Sequence, residues 1–486
     1  MGTVYATSNP PKSVQFKKGG KNLNVMGIDP HEPPLREGEG HPCESGVMVE
    51  KKSICLQGIV ARVDRVNFDG IIRTKQDILK HSVKELFTAE NFEDMIQKAH
   101  IVRGKLQNLG IFRNVGIHID TSTGPKATPN GYEVTYEVVE MKRIFGGVTT
   151  QVANHGEALL VVNGVMPNLF GRAEALKAEY TYGSSRTNNL GCSLVKPFLY
   201  RGSPVLTTSI CNNDSEWPMS GYKLIESLLR FDLQFNSYRS LIHNLQYEAN
   251  WRLGYLGNRY ADFDIRETTG HSLKSSVRHV ASIDYRDSKV FPTCGAMYKL
   301  TSEVSGLGGN VFFVKNEAVM QYNLPLYKND WMVQYSFNIG HMADLKDVTS
   351  PVCDNFFLGG PTSLRGFEFR SVCPSSDNLA GASMYWSSGL HIFTPLPFKP
   401  GSGGFGDLFR SHLWINCGNC GDWTLDDFEE FIKEQKGGIR MAAGLGLAFR
   451  LGQLARVEIN YCFPIWTLDH DKKVEGLQFG VGVHFV

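Results

Sequence analysis

The stretch Ile439-Arg-Met-Ala-Ala-Gly-Leu-Gly-Leu-Ala-Phe449 decides the fold of this chain, because its residues alternate in character one by one. Large apolar side chains occur only at its odd positions, and arginine and glycine occur only at its even positions. Successive side chains of a β-strand point to opposite faces, so the stretch predicts a strand with one apolar face and one polar or small face. The same alternation recurs along the chain, for example at residues 456–463, 331–340 and 477–485.

The number and length of these segments narrow the fold class. From residue 142 onward we count about sixteen segments of roughly ten residues, the length that a tilted strand needs to cross a bilayer. A single alternating strand also fits a soluble sheet protein. The connections, however, are of unequal length, as expected for the two ends of a membrane barrel. Short turns at Phe291-Pro292 and Asn323-Leu-Pro325 alternate with longer loops at about 254–274, 342–379 and 418–438. The sequence therefore favours a mainly β protein, with a transmembrane antiparallel β-barrel over residues 142–486.

The composition of the chain argues against several other classes of protein. The chain has 486 residues and a formal charge of +1, which gives no electrostatic basis for binding nucleic acid. We find no run of about 18 uncharged apolar residues, so no transmembrane helix is expected. Ten cysteines without a secretory signal favour reduced thiols over a disulfide framework.

Two further segments precede the predicted barrel. Residues 1–54 are rich in proline and mixed charge, and we expect a disordered leader. Residues 55–141 follow the order β-α-α-β-β, which predicts a sheet with helices on one face. An exposed edge of that sheet could accept an incoming strand, so a peptide-binding module is one interpretation. The alternative is a small domain without a ligand.

Several motifs resemble a known family. The stretch Phe356-Phe-Leu-Gly-Gly-Pro-Thr-Ser-Leu-Arg-Gly-Phe367 is similar to the signature of the bacterial surface antigen family of outer-membrane barrel-assembly proteins. Its core is Leu364, Arg365, Gly366 and Phe367, before the predicted twelfth strand. The unit at 55–141 resembles the polypeptide-transport-associated domain of that family, through Leu109-Gly-Ile-Phe112 and Tyr136-Glu-Val-Val-Glu140. Asn168-Leu-Phe-Gly171 resembles its early strand turn, so the resemblance covers about residues 55–486.

The resemblance implies a function without bond chemistry. One domain before the barrel and no secretory signal point to the mitochondrial branch of the family, with the small domain in the intermembrane space. The chain would then insert β-barrel precursors into the outer membrane, with unfolded precursors, accessory subunits and membrane lipid as partners. A porin-like channel is the alternative. No catalytic constellation is visible, so neither enzyme activity nor a cofactor is expected. Cys417-Gly-Asn-Cys420 is a single pair, and no metal site is expected there.

The resemblance also suggests a partner for Arg365. A guanidinium folded into a polar lumen needs acceptors, because a buried unpaired charge is costly. In the family this arginine pairs with an acidic residue on a following strand. Here Asn416 stands where an aspartate is common, and Glu458 is the nearest acidic alternative with lumenal parity.

The end of the chain carries a last motif. Gln478, Gly480, Val483 and Phe485 are similar to the sorting signal that the family reads in barrel precursors. We predict that a lateral seam lies between the first strand, at roughly 143–152, and the last, at 477–486. Glycine weakens a strand, and the seam strands carry four glycines, namely Gly146, Gly147, Gly480 and Gly482.

Overall fold

The computed structural model describes most of the chain in two compact units. The described residues are 2–5, 13–16, 58–125, 127–152, 157–184, 187–198, 202–217, 221–238, 240–257, 263–326, 331–346, 349–372, 380–396, 405–422, 438–452, 455–482 and 485. The first unit comprises Met1–Arg143 with Pro167–Glu174, and the second comprises Ile144–Met166 with Ala175–Val486.

The first unit has the predicted β-α-α-β-β order. Its elements are β3 (Arg62–Asp69), α1 (Gln76–Val83), a 3-10 turn (Lys84–Thr88), α2 (Phe92–Asn108), β4 (Phe112–Thr121) and β5 (Gly131–Glu140). Strand β5 lies between β3, to which it is parallel, and β4, to which it is antiparallel. Val134 and Tyr136 are fully buried, and the Tyr136 hydroxyl donates to the Ala99 carbonyl of α2 at 3.2 Å. Apolar alternation along β5 thus packs the sheet on α2.

The structure differs from the predicted disordered leader at two short segments. Strands β1 (Gly2–Tyr5) and β2 (Ser13–Phe16) pair with each other, and β1 pairs antiparallel with β3. The unpaired backbone groups of an edge strand accept any extended segment within reach, which explains this pairing of leader residues with β3. The rest of the predicted leader lies outside the described residues.

The second unit is one antiparallel sheet of 16 strands, as predicted. Each strand pairs with its neighbours in the sequence, and β6 and β21 are the two ends of the sheet. The strands are β6 (Phe145–Val152), β7 (Ala158–Pro167), β8 (Ala175–Gly183), β9 (Asn188–Pro197), β10 (Val205–Trp217), β11 (Tyr222–Asn236), β12 (Leu241–Leu256), β13 (Gly270–Asp284), β14 (Gly295–Gly309), β15 (Phe313–Leu326), β16 (Trp331–Asp344), β17 (Met384–Pro395), β18 (Phe409–Gly421), β19 (Arg440–Leu451), β20 (Ala455–Trp466) and β21 (Gly476–Gly482).

The connections agree only in part with the prediction. The predicted turn at 323–325 is wrong, because β15 continues to Leu326 and Pro325 still pairs with Met332. A proline near the end of a strand gives up one donor without ending the ladder. Helix α3 (Phe263–Thr268) lies in the connection before β13, and another 3-10 turn spans Phe405–Leu408.

None of the helices among the described residues is both long and apolar enough to span a membrane.

The two faces of the sheet differ as the alternation predicts. Along β20, Arg456, Glu458 and Asn460 are buried on the inner face, whereas Ile459 and Tyr461 are exposed on the outer face. Arg440 and Ala442 of β19 likewise point inward, and Leu445 points outward. The inner face therefore carries the polar and small residues, and the outer face the large apolar ones, as a lipid-facing wall requires.

Candidate functional site

The connection between β16 and β17 is a long loop, and its described residues 349–372 and 380–383 include many side chains buried in the interior of the barrel. It spans residues 345–383 and contains a 3-10 turn at Val352–Asp354. Within it, Phe356 pairs with Ala382 and Leu358 pairs with Val372 as isolated bridges. Leu364 and Phe367 are fully buried against wall residues that include Trp414 and Ala442. We call residues 345–383 the lumenal loop.

Arg365 of the lumenal loop forms a buried ion pair with Glu458 of β20. Its Nη2 lies 2.9 Å from Glu458 Oε2, and neither side chain is exposed to solvent. The Arg365 Nη1 also lies 3.4 Å from His391 Nε2. Glu458 also forms an ion pair with a second guanidinium, because Arg456 Nε lies 2.8 Å from its Oε1. One carboxylate of the wall thus holds two buried cations.

The structure brings both predicted partners to Arg365, but at different atoms. Glu458 binds the guanidinium side chain. Asn416 binds the main chain: with its amide oriented to satisfy both groups, its oxygen accepts the Arg365 N–H at 2.7 Å. Its nitrogen then donates to the Ala442 carbonyl at 3.1 Å. The amide can accept and donate at once, so Asn416 ties the loop backbone to β18 and β19, a task that a carboxylate could not complete.

Gly366 follows the arginine in a conformation that a larger residue rarely adopts. Its φ is +83°, and a Cβ at this position would lie 2.8 Å from the Ala442 Cβ. Its N–H donates to Gln478 Oε1 at 3.1 Å, and its carbonyl accepts the Val474 N–H at 2.8 Å. Gln478 Nε2 in turn donates to the Phe367 carbonyl at 2.9 Å. The Gln478 amide therefore clamps two consecutive loop residues onto β21.

The end of the chain departs from the predicted strand. Strand β21 ends at Gly482, and Phe485 lies in the interior with 4% of its surface exposed. Val483 lies outside the described residues. The absence of a side chain at Gly480 makes this packing possible, because a Cβ there would lie 2.9 Å from Pro361 Cβ and 3.2 Å from the Phe485 ring. Gly482 similarly faces Thr362 and the Phe485 ring.

The Phe485 ring lies beside the same charges that bind the loop. The guanidinium carbon of Arg456 is 4.4 Å from the ring centroid, and that of Arg365 is 5.3 Å away. Cation–π attraction is strongest where water is excluded, as it is here. The Phe485 carbonyl accepts from Gln334 Nε2 of β16 at 3.4 Å. Gln478, Gly480 and Phe485, three of the four predicted signal residues, thus all contact the lumenal loop or its ion pair.

The remaining predicted seam residues lie at the other end of the sheet. Gly146 and Gly147 are in β6, which pairs with β7. The Gly147 N–H donates to Asn163 Oδ1 at 3.0 Å, and a Cβ on Gly146 would lie 2.4 Å from the Asn163 carbonyl oxygen. The four glycines therefore lie on the two terminal strands, and three of them, Gly146, Gly480 and Gly482, have neighbours too close for a side chain to fit without a shift.

Asp354, at the base of the lumenal loop, is a buried residue that the sequence reasoning missed. Its carboxylate lies 2.5 Å from Arg252 Nη1 and 3.0 Å from Lys274 Nζ. Lys315 Nζ donates to its main-chain carbonyl at 2.6 Å. A signal existed in the sequence: Arg252, Lys274 and Lys315 are cations that lie on the inner parity of β12, β13 and β15, and buried cations need an anion.

The contacts of this site are all noncovalent. They are ion pairs, amide clamps and aromatic contacts between a loop and the wall. Cys417 and Cys420 lie on β18 three residues apart, and hence on opposite faces of the strand. In the described part of the chain, no group of three or more His, Cys, Asp or Glu residues could hold a metal ion.

Comparisons with known proteins agree with this geometry. Residues 168–485 match the model of the Omp85 superfamily domain, which covers more than half of the chain. The chain is 37% identical over 492 residues to sorting and assembly machinery component 50 homolog B of Xenopus laevis, and 38% identical over 490 residues to the component 50 homolog of Xenopus tropicalis. Both alignments cover 100% of each chain.

The fold has a structural counterpart as well. The crystal structure of BamA from Haemophilus ducreyi lacking POTRA domains 1–3 superposes with a TM-score of 0.71 at 16% identity, over 87% of this chain and 84% of that one. At this identity the likeness shows the fold alone. The full-length similarity to the curated relatives goes further: the chain belongs to the Omp85 superfamily and, within it, to the family of sorting and assembly machinery component 50.

Proposed function

We propose that this protein assembles β-barrel precursors into the mitochondrial outer membrane through a seam between β6 and β21. Family membership supports the assembly role, and the barrel fold supports an outer-membrane location. One observation carries the proposed route: β6 and β21 are the two ends of the sheet. Every other pair of neighbouring strands is consecutive in the sequence and joined by a connection. Strands β6 and β21 have no such connection between them, so this pair can separate without straining the chain.

Lipid restricts how such a seam can open. The hydrocarbon core offers no water to satisfy exposed backbone groups, so an open edge is costly. An incoming strand that adds to the edge as another strand leaves replaces each lost hydrogen bond. We propose that the terminal strand of a precursor pairs with β6 while β21 gives way.

The lumenal contacts of β21 would govern this exchange. The Gln478 clamp, the Pro361 contact at Gly480 and the Phe485 contact with Arg365 fasten β21 from inside. Strand β21 also pairs with β20 along residues 476–482, so breaking these side-chain contacts together would let the edge of β21 that faces β6 move while its ladder with β20 remains. The loop would therefore set the ease of exchange, with Arg365, Gly366 and Phe367 at its contact point.

The side of the membrane follows from strand number. An even number of antiparallel strands brings the start of the first and the end of the last to one side of the membrane. We propose that this side is the intermembrane space, which also receives the first unit. Protease added to intact mitochondria should spare residues 60–140, and cleavage there with the outer membrane unbroken would overturn this orientation.

The lumenal loop also supports assembly over a porin-like channel. A pore needs an open interior, whereas residues 349–372 fill part of this one. Deleting residues 355–370 should raise single-channel conductance if the loop closes the interior. Conductance as high before the deletion as after it would favour the channel.

The decisive experiment locks the seam with a disulfide. Cysteine at position 480 is unsuitable, because its Cβ would collide with Pro361. Val148 of β6 and Phe479 of β21 each have 64% of their surface exposed on the outer face. We suggest Val148→Cys combined in turn with cysteine at 477, 479 or 481, in a background without the ten native cysteines.

The control places a disulfide between two neighbouring strands that lie away from the seam. Leu445 and Tyr461 are directly paired between β19 and β20, and both face outward. Oxidation should stop assembly of a porin precursor in mitochondria carrying the seam pair, and reduction should restore it. The Leu445→Cys/Tyr461→Cys pair should have no effect. Unimpaired assembly with the seam fully oxidised would rule out lateral entry.

A further inference from the structure

The lumenal loop is attached to the wall at two separate places. Its tip binds β20 through the Arg365 ion pair described above. Its base binds a different part of the wall, because Asp354 contacts Arg252 of β12, Lys274 of β13 and Lys315 of β15. The base and the tip are 11 residues apart in the sequence but bind strands from different parts of the sheet.

At the base, buried cations of the wall surround the Asp354 carboxylate. Asp354 has 5% of its side chain exposed, Arg252 has 7% and Lys274 has 3%. The Arg252 fork is bidentate, with its second nitrogen 3.1 Å from Asp354 Oδ1. Bidentate guanidinium pairs define direction as well as distance. A surface ion pair would contribute little, but removal of one partner from a buried pair leaves the others uncompensated.

Wall carboxylates balance the same cations. Glu226 accepts from Arg252 Nε at 3.1 Å, and Glu303 lies 2.7 Å from Lys274 Nζ. The cations would therefore keep partners in the wall if Asp354 were absent. Loss of Asp354 would thus leave these wall cations with part of their compensation, whereas the loop would lose its charged contact at the base.

Between the base and the tip the loop has limited regular structure of its own. Gly359 and Gly360 both have positive φ, at +109° and +115°. The Gly360 N–H donates to the Leu364 carbonyl at 3.2 Å, which closes a tight turn just before Arg365. This turn shortens the chain between Asp354 and Arg365. The position of Arg365 is therefore restricted when Asp354 is fixed to the wall. Lys315 adds to the fixation, because its Nζ also lies 4.0 Å from the ring centroid of Phe356.

We propose that Asp354 is a positioning residue for assembly: its anchor on β12, β13 and β15 aims the lumenal loop so that Arg365 reaches Glu458. The inference rests on the proposed function, in which the loop governs release of β21. It assigns to Asp354 a role that acts through Arg365, with no contact to a precursor required. Loss of the anchor should loosen the tip, which would then depend on its contacts with Asn416, Glu458 and Gln478, while the wall remains intact.

The test compares three variants of the full chain in mitochondria and in detergent. Asp354→Asn keeps the shape and removes the charge, and Asp354→Glu restores the charge with a longer reach. Asp284→Asn is the control outside the loop, because Asp284 ends β13 and pairs at 2.8 Å with Arg286 while 30% of its own side chain is exposed. Assembly of a porin precursor is one readout. The second is trypsin cleavage after Arg365, a bond that the fully buried side chain should protect in the parent protein.

We expect Asp354→Asn to slow assembly about tenfold, the effect of losing one charge-assisted contact. Trypsin should cut it after Arg365 while the wall strands stay uncut. Asp354→Glu should regain at least half of the rate, and Asp284→Asn should match the parent.

Three outcomes would overturn the proposal. They are a parental assembly rate in Asp354→Asn, slow assembly with the Arg365 site still protected, and cleavage throughout the wall, which would mean a general loss of structure. Arg365→Gln separates this inference from the proposed function. If Arg365→Gln slows assembly and Asp354→Asn does not, only the inference fails. If neither does, the proposed role of the loop fails as well.

Discussion

Arg365 and Glu458 lie 93 residues apart in the sequence and form an ion pair of 2.9 Å in which neither side chain is exposed to solvent. The pair joins the lumenal loop to the next-to-last strand. Arg456 shares the same carboxylate from the other side. The two partners therefore differ: Glu458 is paired with two buried guanidinium groups, whereas Arg365 is paired with one carboxylate.

This difference predicts unequal effects of the two neutral substitutions. Arg365→Gln leaves Glu458 paired with Arg456 and should lower the free energy of unfolding by about 1–3 kcal/mol. Glu458→Gln deprives two buried guanidiniums of their shared carboxylate and should cost about 3–5 kcal/mol. Urea unfolding in lipid vesicles, followed by gel mobility, would measure both. Equal losses would contradict a shared carboxylate.

The Gln478 clamp should distinguish a carboxylate from an amide. Gln478→Glu keeps an acceptor for the Gly366 N–H but loses the donor to the Phe367 carbonyl and sets two oxygens against each other. Hydrogen exchange at the Gly366 amide should speed up by about tenfold, equivalent to about 1.4 kcal/mol. Leu477→Val, on the lipid-facing neighbour, is the control. Unchanged exchange in Gln478→Glu would mean that Val474 and Asn416 suffice to hold the loop.

Phe485 should act through its ring rather than its volume. Phe485→Leu keeps an apolar side chain but removes the cation–π contacts to Arg456 and Arg365, worth about 1–2 kcal/mol in a dry site. Phe485→Tyr retains the ring. Because this contact fastens β21, disulfide formation across the seam should be slower in the leucine variant and near the parental rate in the tyrosine variant. Phe479→Leu changes an outward ring and provides the baseline.

The stability of the first unit should depend on pH through the ionisation of Glu140. Burial alone would raise its pKa, but hydrogen bonds from the Thr74 hydroxyl and from the backbone of Arg73, Thr74 and Ile72 outweigh burial and lower the pKa below 4.5. A depressed pKa stabilises the fold above the unfolded value, and this contribution is lost as pH falls through the folded value.

Glu140→Gln tests that relation at neutral pH. The variant should lower the free energy of unfolding of the first unit by about 2–3 kcal/mol. Faster hydrogen exchange in β3 and β5 of the full chain would report the loss. The difference between variant and parent should shrink below pH 4, as the parent carboxylate protonates. A constant difference down to pH 3 would mean that the charge contributes nothing.

Local periodicity, together with the number of segments and the unequal length of their connections, was sufficient to predict the barrel and the first unit. The inner parity of Arg440, Glu458 and Gln478 follows from a period of two, which is a local property of the chain. Helix α2 and strand β5 follow from equally local periods. The family motif then placed Arg365 in a loop before the twelfth strand, which is where it lies.

The contacts across the interior were decided only by the tertiary structure. The alternation along β20 predicts that Glu458 faces the interior. It does not predict whether the loop reaches Glu458, because that depends on the width of the barrel and on where the base of the loop is fixed. Asp354 shows the same limit: its partners lie 80 and 102 residues away, on strands that only curvature brings to it. The end of β21 was misplaced because Phe485 continues the alternation, yet buried cations draw its ring inward. A pattern of period two records which side a residue faces, and the interior packing decides what it meets there.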